Sequence, residues 1–237
     1  MLVKHGQHEG KIKSSCRKVL KTGRENTLYE RGIKMSEKKW NDKVNKEGYM
    51  KSIKELDEAE PFITPMLAQK VEIKNNKIKG MKFPLYVQPK LDGFRCWSKL
   101  VNNEVELYSR KNISYKGLGT LKSELLKLYS KLTGLDKKVK LDGELYIHGI
   151  PFEDLNGLIK RAQHNCQYDL PKVEFRIFDC FNLDNISMSF EDRTKFLKSI
   201  IPEQNFNVKY VRTEVVNTLD EFKNYFLFLL RMTDMKE

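Results

Sequence analysis

Residues 90–95 read Lys90-Leu-Asp-Gly-Phe-Arg95, and this hexapeptide is the most informative stretch of the chain. It brings an amine, a carboxylate, a glycine and a guanidinium into one strand-to-turn unit. A lysine amine becomes a nucleophile once it loses its proton, which a low-dielectric pocket or a neighbouring cation such as Arg95 favours. Gly93 permits close approach of the backbone to a ligand, and Arg95 offers a planar fork for phosphate oxygens or a ribose. The stretch therefore predicts a site that attacks a nucleotide.

An exposed Asp-Gly turn with flanking basic residues is the alternative interpretation of this stretch. Chance produces the pattern K-x-D-G-x-R at about one site in 10⁵, which makes it rare in a chain of 237 residues. Each later string, taken alone, is as compatible with a plain hairpin or a core aromatic as with a site, so their order and spacing decide the matter. These strings are Leu107-Tyr-Ser-Arg110, Leu141-Asp-Gly-Glu-Leu145 and Glu174-Phe-Arg-Ile-Phe-Asp179.

In this order the strings resemble the motifs of the covalent nucleotidyltransferases, the superfamily of ATP-dependent DNA ligases, RNA ligases and messenger RNA capping enzymes. Pro65-Met-Leu-Ala68 is similar to the lead-in of a ligase adenylation domain, and Phe190 with Arg193 is similar to the segment after the fourth string. NAD-dependent ligases lack the arginine that stands here as Arg95. The chain is therefore identified as a member of the ATP-dependent DNA ligase family, of the phage and viral type. The resemblance covers residues 62–216, and more loosely residues 10–54 through Gly10-Lys-Ile-Lys, Lys38-Lys-Trp40 and Lys46-Glu-Gly-Tyr49.

The resemblance implies an α+β fold, a nucleotidyltransferase (ATP-grasp-like) adenylation domain of antiparallel sheets with flanking helices. Residues 62–237 would form the N-terminal portion of that domain, residues 55–61 a linker, and residues 1–54 a basic region or small DNA-binding subdomain. The first 54 residues hold 15 Lys or Arg against 6 Asp or Glu, and the whole chain carries a net charge of +12. Such an excess attracts a polyanion. A lysine-rich surface that serves only solubility is the alternative.

Local patterns predict the individual elements. Ser36 is the expected cap of a polar helix over 37–47 that stops at Gly48. Thr120 is the expected start of a core helix, because the leucines that follow it recur at helical spacing. The stripe comprises Leu121, Leu125, Leu128 and Leu132, with Gly134 beyond the end. The sequence also predicts strands at 86–88, 140–147 and 173–181, and a hairpin of 94–98 with 104–108 around Asn102-Asn103. A helix is expected to begin near Phe152 and to bury Leu155, Leu158 and Ile159. A last helix is expected from a Thr218/Glu221 capping box to about Met232.

The resemblance also assigns a reaction and its residues. Lys90 would attack the α-phosphate of ATP, AMP would pass to the 5′-phosphate at a nick in duplex DNA, and the 3′-hydroxyl would displace AMP. Glu144 would bind the ribose or Mg²⁺, an ion that neutralises charge on phosphate oxygens. Phe178 would stack on the adenine, and Gln88 would accept a hydrogen bond from its amino group. The predicted ATP site is thus Gln88, Lys90, Arg95, Arg110, Glu144 and Phe178, and the predicted DNA contacts are Lys11, Lys13, Arg17, Lys18 and Arg110.

The family pattern is incomplete towards Glu237. A glutamate-glycine motif, a K-x-K motif and an oligonucleotide-binding domain are not found, so we expect a C-terminally truncated ligase. Charge on the α-phosphate would then be largely uncompensated, which predicts weak or absent self-adenylylation by this chain alone. Incomplete sheets predict exposed edges, an exposed hydrophobic face and poor solubility, or a second polypeptide that supplies the missing motifs.

Two alternative functions stay open at this point: an RNA ligase or capping-type nucleotidyltransferase, and a non-catalytic nucleic-acid-binding remnant. The longest apolar run, Tyr225 to Leu230, is far shorter than the roughly 20 residues of a membrane span, and the N-terminus lacks a secretory pattern, so we expect an intracellular protein. Cysteines of an intracellular chain should be reduced, and because the scattered cysteines form no C-x-x-C pair, we expect no zinc site. These cysteines are Cys16, Cys96, Cys166 and Cys180.

Overall fold

The computed structural model describes residues 80–134, 138–202 and 207–234 continuously. Before residue 80 it describes chiefly 2–5, 13–16, 18–20, 27–47, 70–74 and 77–78. The chain divides into two compact units, Met1–Phe62 and Ile63–Glu237. Within the described ranges, no helix combines the length and the apolar character that crossing a bilayer requires.

The first unit contains a hairpin and a long helix. Strands β1 (Leu2–His5) and β2 (Lys13–Cys16) pair antiparallel, and helix α1 spans Leu28–Glu47. The predicted cap at Ser36 is wrong, because Ser36 lies inside α1 and its hydroxyl donates to the Gly32 carbonyl at 2.9 Å. Thr27 and Glu30 form the capping box instead, each side chain accepting the other's backbone N–H at 3.1 Å. Both N–H groups would otherwise lack a partner at the helix start.

The second unit is a mixed α+β structure. Its strands are β3 (Ile73–Lys74), β4 (Lys77–Ile78), β5 (Leu85–Val87), β6 (Phe94–Val101), β7 (Glu104–Ser109), β8 (Val139–Tyr146), β9 (Glu174–Asn182), β10 (Val208–Tyr210) and β11 (Glu214–Val216). Its helices are α2 (Gly119–Tyr129), α3 (Phe152–His164), α4 (Phe190–Ile200) and α5 (Leu219–Asp234). The α+β prediction, antiparallel sheets with flanking helices, is confirmed.

A five-stranded sheet in the order β10-β9-β8-β6-β7 forms the framework of this unit. Its pairs are antiparallel, apart from the parallel pair of β10 with β9. The predicted β6–β7 hairpin is present, and Asn102 and Asn103 make its two-residue turn with φ values of 49° and 63°. Asparagine tolerates this left-handed backbone better than most residues, which is why the dipeptide marks the turn. Two short antiparallel pairs, β5 with β11 and β3 with β4, lie outside this sheet.

The core lies between the sheet and the helices. All four leucines of the predicted stripe are buried; three of them lie on α2, whereas Leu132 follows the end of the helix at Tyr129. Thr120, however, lies within the first turn of α2, and its backbone N–H and hydroxyl both donate to the Asp169 carboxylate. Helix α3 buries Leu155 and Ile159 as predicted, while Leu158 is half-buried against the core.

Helix α5 starts where the sequence predicts it. The Thr218 hydroxyl accepts the Glu221 backbone N–H at 3.2 Å, and the Glu221 carboxylate accepts the N–H of Asn217 at 2.7 Å. The side chain of Glu221 therefore reaches one residue further back than an ideal capping box requires.

Candidate active site

Lys90 lies in the short connection between β5 and β6. Its exposed side chain borders a cavity of about 370 Å³ that β5 and α5 enclose from two sides. The lining of this cavity is largely apolar and includes Tyr86, Val87, Phe222 and Tyr225. The structure therefore places the predicted nucleophile beside a pocket with the mixture of apolar walls and few polar groups that small ligands use.

Gly93 fixes how the Lys90 connection meets β8. A Cβ atom at this position would lie 2.3 Å from the Leu145 carbonyl oxygen and 2.8 Å from Cγ of Glu144. The nearby backbone of Gly93 also acts to lower the pKa of Glu144. The glycine thus serves the close approach of two protein segments, and this approach positions Glu144 relative to Lys90.

Glu144 is a half-buried carboxyl on β8, where it is the cross-strand partner of Arg95. Burial raises the pKa of Glu144 from its ordinary 4.5 to about 7, against the opposing effect of the charges of Arg95 and Lys90. Near neutral pH this carboxyl is therefore divided between its protonated and charged forms. An approaching cation would favour the charged form.

Arg95 forms a bidentate ion pair with Asp142. Its Nε donates to Oδ1 at 2.7 Å and its Nη2 donates to Oδ2 at 2.5 Å. The guanidinium also lies over the Phe178 ring, 4.5 Å from the ring centroid. Two of the three nitrogens of the predicted ligand fork are thus held by Asp142. Burial raises the pKa of Asp142, and Arg95 opposes that effect.

Gln88 directly follows β5 and connects it to Phe178 on β9 and to Thr213, which lies just before β11. Its Nε2 donates to the Phe178 carbonyl oxygen at 3.0 Å and to Oγ1 of Thr213 at 2.8 Å. Because only the amide nitrogen can donate to a carbonyl, these contacts fix the orientation of the amide. The side-chain carbonyl oxygen of Gln88 is the atom of this amide that can accept a hydrogen bond from a ligand.

A family model described as ATP dependent DNA ligase domain matches residues 65–232. The chain belongs to this family. The DNA ligase of African swine fever virus (isolate Tick/South Africa/Pretoriuskop Pr4/1996) is 31% identical to it, over 62% of this chain and 36% of the viral protein. The DNA ligase of Enterobacteria phage T4 is 38% identical, over 61% of this chain and 38% of the phage protein. The chain therefore spans little more than a third of the length of these relatives, and the family predicted from the sequence is confirmed.

A solved structure of a protein called "Pmar-Lig_Pre." has the same fold over part of the ligase domain. It covers 63% of this chain and 36% of its own, with a TM-score of 0.52 and 20% sequence identity. At this level of identity the likeness concerns the fold alone.

The ligase domain brings five of the six predicted ATP-site residues into one neighbourhood. Contacts or charge effects connect Gln88, Lys90, Arg95, Glu144 and Phe178, as described above. Arg110 is exposed and follows the end of β7, whose last residue pairs with Cys96. Of the predicted DNA contacts, Lys11, Lys13 and Lys18 are exposed in the first unit, and Arg17 lies outside the described residues.

A second ion pair of the ligase domain lies next to the first, and sequence reasoning missed its role. Arg193 holds Asp179 through Nε at 2.7 Å and Nη2 at 3.1 Å, and its Nη1 donates to the Met188 carbonyl at 2.6 Å. Asp179 is the cross-strand partner of Asp142. Like charges opposite each other are unfavourable, and here each carboxylate has its own arginine. Both aspartates belong to motif strings of the sequence, which could have drawn attention to them. No local sequence pattern, in contrast, indicates that Thr213 contacts Gln88.

Proposed function

We propose that this ligase domain accepts AMP from ATP at Lys90, as the first step of sealing nicks in duplex DNA. The proposal rests on one observation above all: the connection that carries Lys90 passes close to Glu144 at Gly93, where a Cβ would lie 2.8 Å from Cγ of Glu144. In the reaction, Nζ of Lys90 attacks the α-phosphorus, an N–P bond forms and the bond to pyrophosphate breaks. The amine loses a proton to solvent. AMP then passes to a DNA 5′-phosphate, and the 3′-hydroxyl displaces it.

The side chains around Lys90 suit an adenine nucleotide. Arg95 covers one face of the Phe178 ring, so an adenine would stack on the opposite face, as aromatic rings do. Gln88 offers a carbonyl acceptor, which matches the exocyclic amino group of adenine but not the exocyclic oxygen of guanine. This chemistry favours ATP over GTP, and hence a ligase over a capping-type enzyme.

Glu144 fits the Mg²⁺ that ligase chemistry implies. Magnesium keeps several waters and binds through one or two carboxylates together with substrate phosphates. Among the described residues no cluster of three or more His, Cys, Asp or Glu could form a complete cage, and Asp142 is engaged by Arg95. Glu144 would therefore be the protein ligand and would give up its proton on binding. When bound, the ion would neutralise charge on the phosphate oxygens.

Labelling with ATP tests the proposal. The chain is incubated with α-labelled ATP and Mg²⁺ and examined on a denaturing gel, beside Lys90→Ala, Lys90→Arg and the control Lys82→Ala. We expect label that both Lys90 variants abolish and that the control, an exposed lysine just before β5, retains. Label that survives in Lys90→Ala would overturn the assignment of the nucleophile. The stoichiometry of the same band tests the prediction of weak self-adenylylation.

Competition and substrate experiments separate the alternatives. Excess unlabelled GTP that removes the label as well as ATP does would favour a capping-type enzyme, and AMP transfer to an RNA end but not to a DNA nick would favour an RNA ligase. Salt-dependent DNA binding by a chain that takes up no label would favour a non-catalytic nucleic-acid-binding protein. The second polypeptide stays a prediction.

A further inference from the structure

We propose that a second cleft of the ligase domain binds the phosphodiester backbone of DNA; the choice of DNA rests on the proposed function. This cleft, called here the β10 cleft, has a volume of about 600 Å³ and lies beside β10 and the C-terminal end of α4. Its charged lining consists of Arg176, Lys198, Lys209 and Arg212, with Glu214 as the acidic member. Arg176 belongs to the motif string Glu174–Asp179, but none of these residues is among the predicted ATP-site residues around Lys90.

Positive charge prevails in the β10 cleft and is held in place. Glu174, with 15% of its side chain exposed, binds Arg176 at 2.5 Å and also pairs with Lys209, which anchors both cations on the sheet. Arg212 pairs with Glu214 but leaves 80% of its side chain exposed. Lys198 is exposed on α4, and its Nζ lies 5.8 Å from the centroid of the Tyr210 ring. Four cations thus face two carboxylates, one of which lies beneath the surface.

The β10 cleft is continuous with the candidate active site through the sheet. Arg176 is the cross-strand partner of both Glu144 on β8 and Lys209 on β10, and Glu144 is the partner of Arg95. Partners on adjacent strands point to the same face of a sheet. Two strand spacings amount to about 10 Å, which corresponds to roughly three nucleotide rises of a DNA strand. One polyanion can therefore contact the cleft while another part of it lies near Glu144.

The character of the lining favours a polymer backbone over a small ligand. Sites for small molecules are mostly apolar, as is the lining of the cavity beside Lys90, whereas the β10 cleft presents exposed Lys198 and Arg212 at its surface. Lysine and arginine at such positions contact phosphates, fix the position of the duplex and carry no sequence information. We therefore expect binding that depends strongly on salt and weakly on sequence.

The test compares the double variant Lys198→Ala/Arg212→Ala with the wild-type chain. Fluorescence anisotropy with a nicked DNA duplex is measured over a range of salt concentrations. Loss of two phosphate contacts should weaken binding about tenfold or more and reduce the slope of log K against log salt by about two. The matched control is Lys195→Ala/Lys223→Ala, which removes two exposed lysines, paired with Glu191 and Asp220, from outside the cleft. Because these two lysines do not line the cleft, the DNA affinity of the control should stay within about twofold of wild type.

Three results would overturn the proposal: a double variant that binds DNA with the wild-type affinity and salt slope, a control variant that loses as much, or displacement of DNA from the cleft by inorganic phosphate at equal ionic strength. Thermal unfolding of each variant shows whether it is folded. Lys90 labelling is scored separately in the same proteins and should be unchanged in the double variant. Absence of label from all proteins would defeat the proposed function, while a reduced salt slope would still support the cleft.

Discussion

Arg95 and Asp142 join neighbouring strands through two parallel hydrogen bonds, of 2.7 and 2.5 Å. The same guanidinium lies 4.5 Å from the centroid of the Phe178 ring on β9. One cation thus connects β6, β8 and β9 at the face where the predicted nucleotide site lies. The Asp142 side chain is 8% exposed and that of Arg95 is 26% exposed. Neither group could therefore be fully solvated by water if its partner were removed.

Asp142→Ala should destabilise the ligase domain, because it leaves the partly buried Arg95 cation without its carboxylate. We expect the free energy of unfolding to fall by about 2–3 kcal/mol. Urea denaturation measures this loss. The control is Asp220→Ala, since Asp220 is an exposed partner of Lys223 and its removal should leave stability unchanged within error. Equal losses of unfolding free energy in the two variants would show that the Arg95–Asp142 pair stabilises the domain no more than an exposed ion pair does.

Gly93→Ala and Gly157→Ala should change stability in opposite directions. A Cβ at position 93 meets the Leu145 carbonyl oxygen at 2.3 Å, and backbone atoms cannot move aside cheaply, whereas nothing lies within 4 Å of a Cβ at position 157. We expect a loss of about 2–3 kcal/mol for the first variant. For the second, inside α3, we expect a gain of up to about 1 kcal/mol. Thermal or urea unfolding compares them directly.

The Gly93→Ala variant should also impair the chemistry. The added methyl group would meet Cγ of Glu144 at 2.8 Å, so relief of the contact moves either this carboxyl or the Lys90 connection. A tenfold or larger drop in Lys90 labelling is the expected order of magnitude for such a displacement. Labelling of Gly157→Ala at the wild-type level is the matched control, and normal labelling of Gly93→Ala would contradict the role given to this approach.

Signals that act over a few residues were readable from the sequence. The Asn102-Asn103 turn, the Leu121–Leu132 stripe and the Thr218 helix start each depend on neighbours within one or two turns of chain, and the structure contains all three. The predicted start of α2 was less accurate. The first turn of this helix is hydrogen-bonded to Asp169, which is 49 residues away in the chain. No local pattern reports a partner at that separation.

The site shows the same division. Family resemblance assigned roles to single residues such as Lys90, Glu144 and Phe178, but the structure shows which groups hold them. Arg95 binds a carboxylate 47 residues away, and Gln88 binds a hydroxyl 125 residues away. These pairings arise from strand order, which periodicity does not encode. The role of Arg95 as a fork for a ligand, and the DNA contacts of the first unit, stay predictions.

Glu144 should make the stability of the ligase domain fall as pH rises. Its pKa is about 7 in the folded protein against an ordinary 4.5, so between these values the folded state holds a proton that the unfolded state has lost. Stability therefore decreases with pH across this window and levels off above about 7. Asp142, whose pKa burial also raises, contributes with the same sign.

Glu144→Gln isolates this contribution, because glutamine is neutral at every pH. The variant should gain stability relative to wild type as pH rises from 5 to 8, by on the order of 2 kcal/mol after allowance for partial exposure. Urea denaturation at several pH values gives the difference, in which the effect of Asp142 largely cancels. A difference that does not vary with pH would contradict a raised pKa for Glu144. The same variant should lower Lys90 labelling, since it removes the proposed Mg²⁺ ligand.

Three consecutive apolar residues of α5 stay about half exposed: Phe226 at 55%, Leu227 at 51% and Phe228 at 50%. Successive helical residues lie about 100° apart, so together they present a wide apolar arc to solvent, which favours association of copies. Leu227→Lys/Phe228→Lys should therefore lower light scattering at high protein concentration by at least half, with little change in unfolding temperature. The control is Ile186→Lys, because Ile186 is 76% exposed but isolated from that arc. If Ile186→Lys lowers scattering equally, net charge rather than the α5 arc governs association.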